Sequence, residues 1–198
     1  VQVSNLPTPN IVFTSSISGL EACEGDIVSI SDNSTYTNFP PNTVSWNINP
    51  SASITSPLIP STTVNLTTPG IYTLSLDITD ANGCPATTSV VIDVWDNPTA
   101  IIDPIFTVCE DLITLNNPTI LTNSSVPISN IIKYEWTFGD LSPNEIINTN
   151  PGNTSYSYAC GNYNLTLEVI DAHGCKDITD GTDIAIVNCL PTANFSAP

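Results

Sequence analysis

The sequence predicts an all-β chain made of two tandem β-sandwich domains. Three observations carry this. Short runs of alternating apolar and polar residues recur between clusters of Pro, Asn, Ser and Gly, and no long stretch keeps a 3.6-residue period. The two halves of the chain align with each other, landmark by landmark. The length, 198 residues, suits two domains of about 100 residues each.

The strands can be read one by one. Tyr72, Leu74, Leu76 and Ile78 alternate with Thr73, Ser75, Asp77 and Thr79, and Tyr163, Leu165, Leu167 and Val169 alternate with Asn164, Thr166 and Glu168. Period 2 with one apolar face is the pattern of a strand on a sandwich core. Ile132, Tyr134, Trp136 and Phe138 form a further inward row, with Lys133, Glu135 and Thr137 outward. Val90, Ile92 and Val94 make a last strand before the connector. About seven strands per repeat, with a tryptophan on the third, fit immunoglobulin-like topology.

The repeat is explicit. Glu21-Ala22-Cys23-Glu24-Gly25-Asp26 answers to Thr107-Val108-Cys109-Glu110-Asp111, and Val44-Ser45-Trp46 to Tyr134-Glu135-Trp136. Gly70-Ile71-Tyr72 answers to Gly161-Asn162-Tyr163, and Asp80-Ala81-Asn82-Gly83-Cys84 to Asp171-Ala172-His173-Gly174-Cys175. The connector Asn97-Pro98-Thr99-Ala100 recurs as Leu190-Pro191-Thr192-Ala193, with Leu6-Pro7-Thr8 as a weaker third copy. The expected domains are therefore 1–97 and 98–190, with 191–198 opening a third repeat that is cut off. The short Pro-containing boundaries favour stiff joints, and the array is expected to continue beyond this piece.

Charge narrows the function. The chain has 19 acidic residues against two basic ones, Lys133 and Lys176, for a net charge of −17. Nucleic acids and anionic membrane surfaces attract clustered Lys and Arg, so neither is an expected partner. No apolar run approaches the ~20 residues a spanning helix needs. No signal peptide precedes Val1, so the chain reads as a mature protein or an excised piece.

Six cysteines and no methionine, in a Thr- and Asn-rich β chain, point to an oxidising extracellular setting. No C-x-x-C pair suggests zinc. Two pairing schemes remain open. One keeps bonds inside repeats: Cys23–Cys84, Cys109–Cys175 and an extra Cys160–Cys189. It is favoured because the first repeat has only two cysteines. The other follows strand direction, which sets Cys23 and Cys84 at opposite ends of a sandwich. Cys23 would then pair with Cys175 across the joint, and Cys84 and Cys109 with neighbours outside this piece. Cys160–Cys189 belongs to both schemes.

Few other residues offer themselves as ligands. Trp46 and Trp136 lie on inward faces and read as core. Trp95 lies opposite Val94 near a domain end and reads as packing at the joint, with exposed ligand recognition as the rival. His173, the one histidine, occupies a turn where the other repeat has Asn82, which makes it a turn former and not a catalyst. Most acids fall in turns (Asp26, Asp32, Asp80, Asp140) or on outward strand positions (Asp77, Glu168) and read as solvated. Asp177, Asp180 and Asp183, around Gly181, could present oxygens to Ca2+ from one loop. No catalytic residue and no cofactor is expected.

Tyr134-Glu135-Trp136-Thr137-Phe138-Gly139-Asp140 resembles the W-D-F-G-D-G signature of PKD (polycystic kidney disease) domains. Gly161 to Asp171 resembles that family's G-x-Y-x-V-x-L-x-V-x-D strand, and Pro191-Thr192-Ala193-Asn194-Phe195 its P-x-A-x-F opening. Thr137 stands where the family usually has Asp and Leu141 where it has Gly, and the first repeat keeps only Trp46 of the signature. The Cys before the second strand and the Gly-Cys after the sixth are similar to repeats of secreted Bacteroidota proteins, among them giant gliding adhesins exported by the type IX system. That resemblance implies a non-enzymatic stalk in a cell-surface adhesin, with neighbouring repeats, surface polysaccharide or other surface proteins as partners. The alternative it leaves is an accessory polysaccharide- or protein-binding module of a secreted hydrolase.

Overall fold

A computed structural model describes residues 7–13, 20–36, 41–103, 107–109, 118–191 and 193. The chain divides into two compact units, Val1–Asp96 and Asn97–Pro198. The described residues hold strands and turns, and among them no helix is long and apolar enough to cross a membrane. Of the segment read as a third repeat, only Pro191 and Ala193 are among the described residues.

The first unit contains β1 (Ile11–Phe13), β2 (Glu21–Cys23), β3 (Asp26–Asp32), β4 (Pro41–Asn49), β5 (Ser53–Ile54), β6 (Ser61–Leu66), β7 (Gly70–Asp80) and β8 (Pro85–Trp95). Two sheets form, in the orders β1-β3-β6-β5 and β2-β8-β7-β4. The opening segment serves both sheets: β1 runs antiparallel to β3, and β2 runs parallel to the end of β8. The alternation read from sequence sets the inward faces. Tyr72, Leu74, Leu76 and Ile78 of β7 meet Val28 and Ile30 of β3 and Val64 and Leu66 of β6 in one buried cluster around Trp46. Each such fully buried aliphatic side chain contributes roughly 1.5–3 kcal/mol relative to exposure.

The second unit contains β9 (Thr107–Cys109), β10 (Thr119–Leu121), β11 (Ile131–Thr137), β12 (Glu145–Ile147), β13 (Thr154–Tyr156), β14 (Gly161–Asp171), β15 (Lys176–Ile178) and β16 (Asp183–Asn188). The larger sheet has the order β12-β11-β14-β16-β9, with β15 also on β14. The smaller sheet pairs β10 with β13, and bridges at Thr99↔Val126 and Ile102↔Asn123 extend its edge. Tyr134, Trp136, Leu165, Leu167 and Val169 fill the core between them. Each unit is an immunoglobulin-like β-sandwich.

Two local readings are corrected. Ile132 is 53% exposed, and Ile131 takes the inward place instead. A bulge between Ile131 and Lys133 shifts the register against β14, so the alternation starts one residue early. The segment read as a loop from Asp177 to Asp183 is the unit's last strand, interrupted. β15 and β16 both pair with β14, and the break falls at Asp180–Thr182, where Gly181 takes φ 73°.

Candidate functional site

The strand register explains the cysteines. Gly161 of β14 is the Cα partner of Val187 of β16, so Cys160 and Cys189, each just beyond, face each other. They form a disulfide with a Cα–Cα distance of 4.8 Å. The same register rules out the favoured within-repeat scheme. Cys23 is the Cα partner of Trp95 at one end of β8, whereas Cys84 precedes Pro85 at the other end. Eleven steps of extended chain at about 3.3 Å each separate them by roughly 35 Å, and a disulfide needs Cα atoms within about 7 Å. Cys109 and Cys175 lie likewise at opposite ends of β14: Cys109 beside Asn188, and Cys175 where its carbonyl accepts the Asp171 N–H at 2.9 Å. Cys23 and Cys175 each belong to a disulfide. Cys109 carries a free, exposed thiol.

The turn that presents Cys84 and Cys175 is built alike in both units. One oxygen of Asp171, Oδ1, accepts the N–H groups of His173 at 2.9 Å and Cys175 at 2.8 Å. Oδ1 of Asp80 accepts those of Asn82 and Cys84, both at 2.9 Å. Asp80 is 4% exposed, so the expectation of a solvated acid fails there, and Asp171, its counterpart in the second unit, is 5% exposed. A buried carboxylate that accepts two backbone donors satisfies groups a tight turn would otherwise orphan. His173 contributes its backbone to this turn, as Asn82 does.

The signature segment of the second unit is also structural. Gly139 has φ 79°, and a Cβ there would overlap the backbone of Asn164. Phe138 stacks on Tyr156 with ring centroids 3.8 Å apart, and the Tyr156 hydroxyl donates to Asp140 Oδ2 at 2.7 Å. Leu141, next in the chain, holds a left-handed φ of 67° and is fully exposed.

The calcium candidates are engaged separately. Asp177 Oδ2 accepts the Ala100 N–H at 2.8 Å, while Asp180 Oδ1 accepts the Thr182 N–H at 3.0 Å and its hydroxyl at 2.7 Å. The Asp183 side chain lies outside the described residues. Among the described residues, no three His, Cys, Asp or Glu side chains gather as a metal site. Trp95 is half-buried at the end of β8, where its carbonyl accepts the Glu24 N–H at 2.9 Å.

One surface feature depends on strand register. The outward face of β11, β14 and β15 holds an open groove of about 170 Å3 lined by Glu135, Thr137, Asn144, Thr166, Glu168 and Ile178. Glu135 and Glu168 are direct cross-strand partners, an arrangement that is destabilising for like charges. Both lysines of the chain answer it. Lys133 Nζ lies 2.8 Å from Glu135 Oε2, and Lys176 Nζ lies 3.3 Å from Glu168 Oε2. Asn144 Nδ2 donates to Glu135 Oε1 at 2.9 Å. The hydrogen bond from Lys133, seconded by Asn144, holds the Glu135 carboxyl below the usual carboxylate range. The groove offers hydroxyls, an amide, carboxylates and an apolar rim, a set that complements a polyhydroxylated ligand. The signal in the sequence was the placing of Lys133 two residues before Glu135, on a strand whose outward positions were already legible.

No family model and no curated protein matches the sequence. Solved structures match by shape. Three N-terminal domains of the highly immunogenic outer capsid protein (Hoc) of bacteriophage RB49 align over 93% of this chain and 71% of theirs, at 12% identity and a TM-score of 0.50. The fibronectin(III)-like modules of Clostridium thermocellum CbhA align over 95% of this chain and 100% of theirs, at 13% identity and a TM-score of 0.45. The PKD domain of the KIAA 1837 protein aligns over 42% of this chain and 92% of its own, at 16% identity and a TM-score of 0.34. Identities this low speak to fold alone.

Proposed function

We propose that this chain is a non-enzymatic stalk segment of an extracellular cell-surface adhesin, a run of PKD-like sandwiches that holds an adhesive region away from the cell. The observation that supports it most is the repetition of one sandwich with the same buried-Asp cysteine turn in both copies. Disulfides suit an oxidising exterior, and a net charge of −17 keeps neighbouring stalks apart. The sequence likeness to repeats of secreted Bacteroidota proteins makes a surface adhesin, including the gliding kind, the reading in view. Chains carrying two, four and six copies of the pair of units test it by small-angle scattering. A stalk gives a maximum dimension that grows in proportion to copy number. A dimension growing with the cube root of mass, as a collapsed globule would, overturns the reading.

The groove over Glu135 and Glu168 favours a second reading, an accessory module that holds a polysaccharide for a secreted hydrolase. A glycan array decides this. Binding that falls at least tenfold on Glu168→Gln or Asn144→Ala supports the module, and no binding by the native chain removes it. Trp95→Ala gauges the tryptophan raised from sequence in the same assay.

A further inference from the structure

We propose that Cys109 is a covalent linkage site that takes the turn cysteine of another repeat. The inference rests on the tandem-array reading above. The Cys109 thiol is free and exposed. An exposed thiol alone assigns no partner, but its counterpart in the first unit does. Cys23 ends β2, a three-residue strand parallel to the last strand of its unit, and is the Cα partner of Trp95. Cys109 ends β9, a three-residue strand parallel to the last strand of its own unit, and is the Cα partner of Asn188. The two occupy one place in the repeat, and at that place Cys23 is disulfide-bonded.

The partner's kind follows by geometry. In the second unit Cys160 and Cys189 bond each other, and Cys175 lies about 33 Å from Cys109 along β14. Cys189 follows Asn188, the register partner of Cys109, but its sulfur and that of Cys160 are taken up in their own bond, and Cys175 is out of reach, so the second unit offers Cys109 no thiol. The other place at which this repeat carries a disulfide-bonded cysteine is the Asp-x-x-Gly-Cys turn, represented by Cys175. There the buried Asp171 fixes the backbone on both sides of the glycine. The thiol that Cys109 takes is therefore that of such a turn on a further repeat.

The chemistry needs an oxidant, and glutathione disulfide serves. The Cys109 thiolate attacks one sulfur and releases one glutathione thiolate. The turn cysteine's thiolate then attacks the Cys109 sulfur and releases the second. Two protein thiols are oxidised to one disulfide, one glutathione disulfide is reduced to two glutathione molecules, and the two thiol protons pass to the leaving thiolates.

The test uses the full chain with residues 191–198 replaced by a further copy of residues 98–190, refolded in a glutathione redox buffer and mapped without reduction. The expected map joins Cys109 to the Cys175 of the appended copy, and alkylation of Cys109 by iodoacetamide falls at least tenfold against the 198-residue chain. Cys109→Ser should leave every Cys160–Cys189 bond intact and restore alkylation of the appended turn cysteine. A second chain, carrying a copy of residues 1–96 instead, supplies the same turn as Cys84 and covers a failure of the first to fold. Cys109 left alkylatable, or found only as its glutathione adduct, in whichever chain folds overturns the linkage. If that chain is nevertheless extended by small-angle scattering, the stalk reading stands without it. A collapsed chain overturns the stalk reading separately.

Discussion

The indole N–H of Trp136 donates to the carbonyl of Gly152 at 2.8 Å, in the middle of the second unit's core. Trp46 makes the same kind of bond to the carbonyl of Ile59 at 3.0 Å in the first unit. Both indoles are almost wholly buried. Each pins the chain that crosses beyond its own strand, so the tryptophan sets a backbone path as well as filling volume. Trp136→Phe should leave the Gly152 carbonyl without its donor and open a small cavity. A loss of about 2–4 kcal/mol is expected, with urea unfolding shifted in midpoint and unchanged in slope. A loss under about 1 kcal/mol would show that the bond is dispensable.

The two buried turn carboxylates give a paired prediction. Asp171→Ala removes an acceptor from two backbone N–H groups in a buried turn and should cost about 2–4 kcal/mol. Asp171→Asn keeps one oxygen in place and should cost about half as much. Asp80 should behave alike in the first unit, since its bonds to Asn82 and Cys84 are the same. Equal costs for Ala and Asn at either site would mean that the oxygen at that position is not what holds the turn.

Much of this architecture could be read from the chain, and the failures have physical causes. The rows of β7 and β14 were legible because period 2 with one apolar face leaves no other placing. The row on β11 was misread at Ile132 because a bulge is a local change of register that leaves no mark on hydrophobicity. The burial of Asp80 was hidden because Asp in a Gly-containing turn looks solvated when its two backbone partners lie within four residues. The Cys160–Cys189 pair was legible from strand ends. The within-repeat pairs were not credible once β8 and β14 proved to be continuous strands of 11 residues. The groove escaped notice because it depends on a cross-strand pairing, Glu135 with Glu168, that only register reveals.

Leu141 invites a stabilising change. A left-handed conformation costs a side-chain-bearing residue about 1–2 kcal/mol, and Leu141, fully exposed, gains no burial in return. Leu141→Gly removes that strain and adds back some unfolded-state entropy, for a net gain of about 0.5–1 kcal/mol. Leu141→Ala keeps a Cβ in the same conformation and should gain nothing. Thermal unfolding of the two variants checks this, and a stabilised Ala variant would place the effect outside the backbone.

Glu135 should carry a pH dependence that can be separated from the rest of the chain. Lys133, then Asn144, hold its carboxyl below the ordinary range, so folding favours the ionised form. A group whose folded value is depressed contributes stability above its unfolded value, about 4.3 for glutamate, and loses that contribution as pH falls through the folded value. Acid also relieves the self-repulsion of a chain at −17, which works in the opposite direction. The difference between the native chain and Glu135→Gln cancels that shared term. The variant should be the less stable of the two from about pH 7 down to about pH 5, and the two unfolding curves should draw together as pH falls below the unfolded value of about 4.3. The cross-strand neighbour Glu168 bears on the sign. If repulsion between the two carboxylates outweighed the lysines, Glu135→Gln would be the more stable protein at pH 7. That result would reverse the account of how this face of the sheet holds its charge.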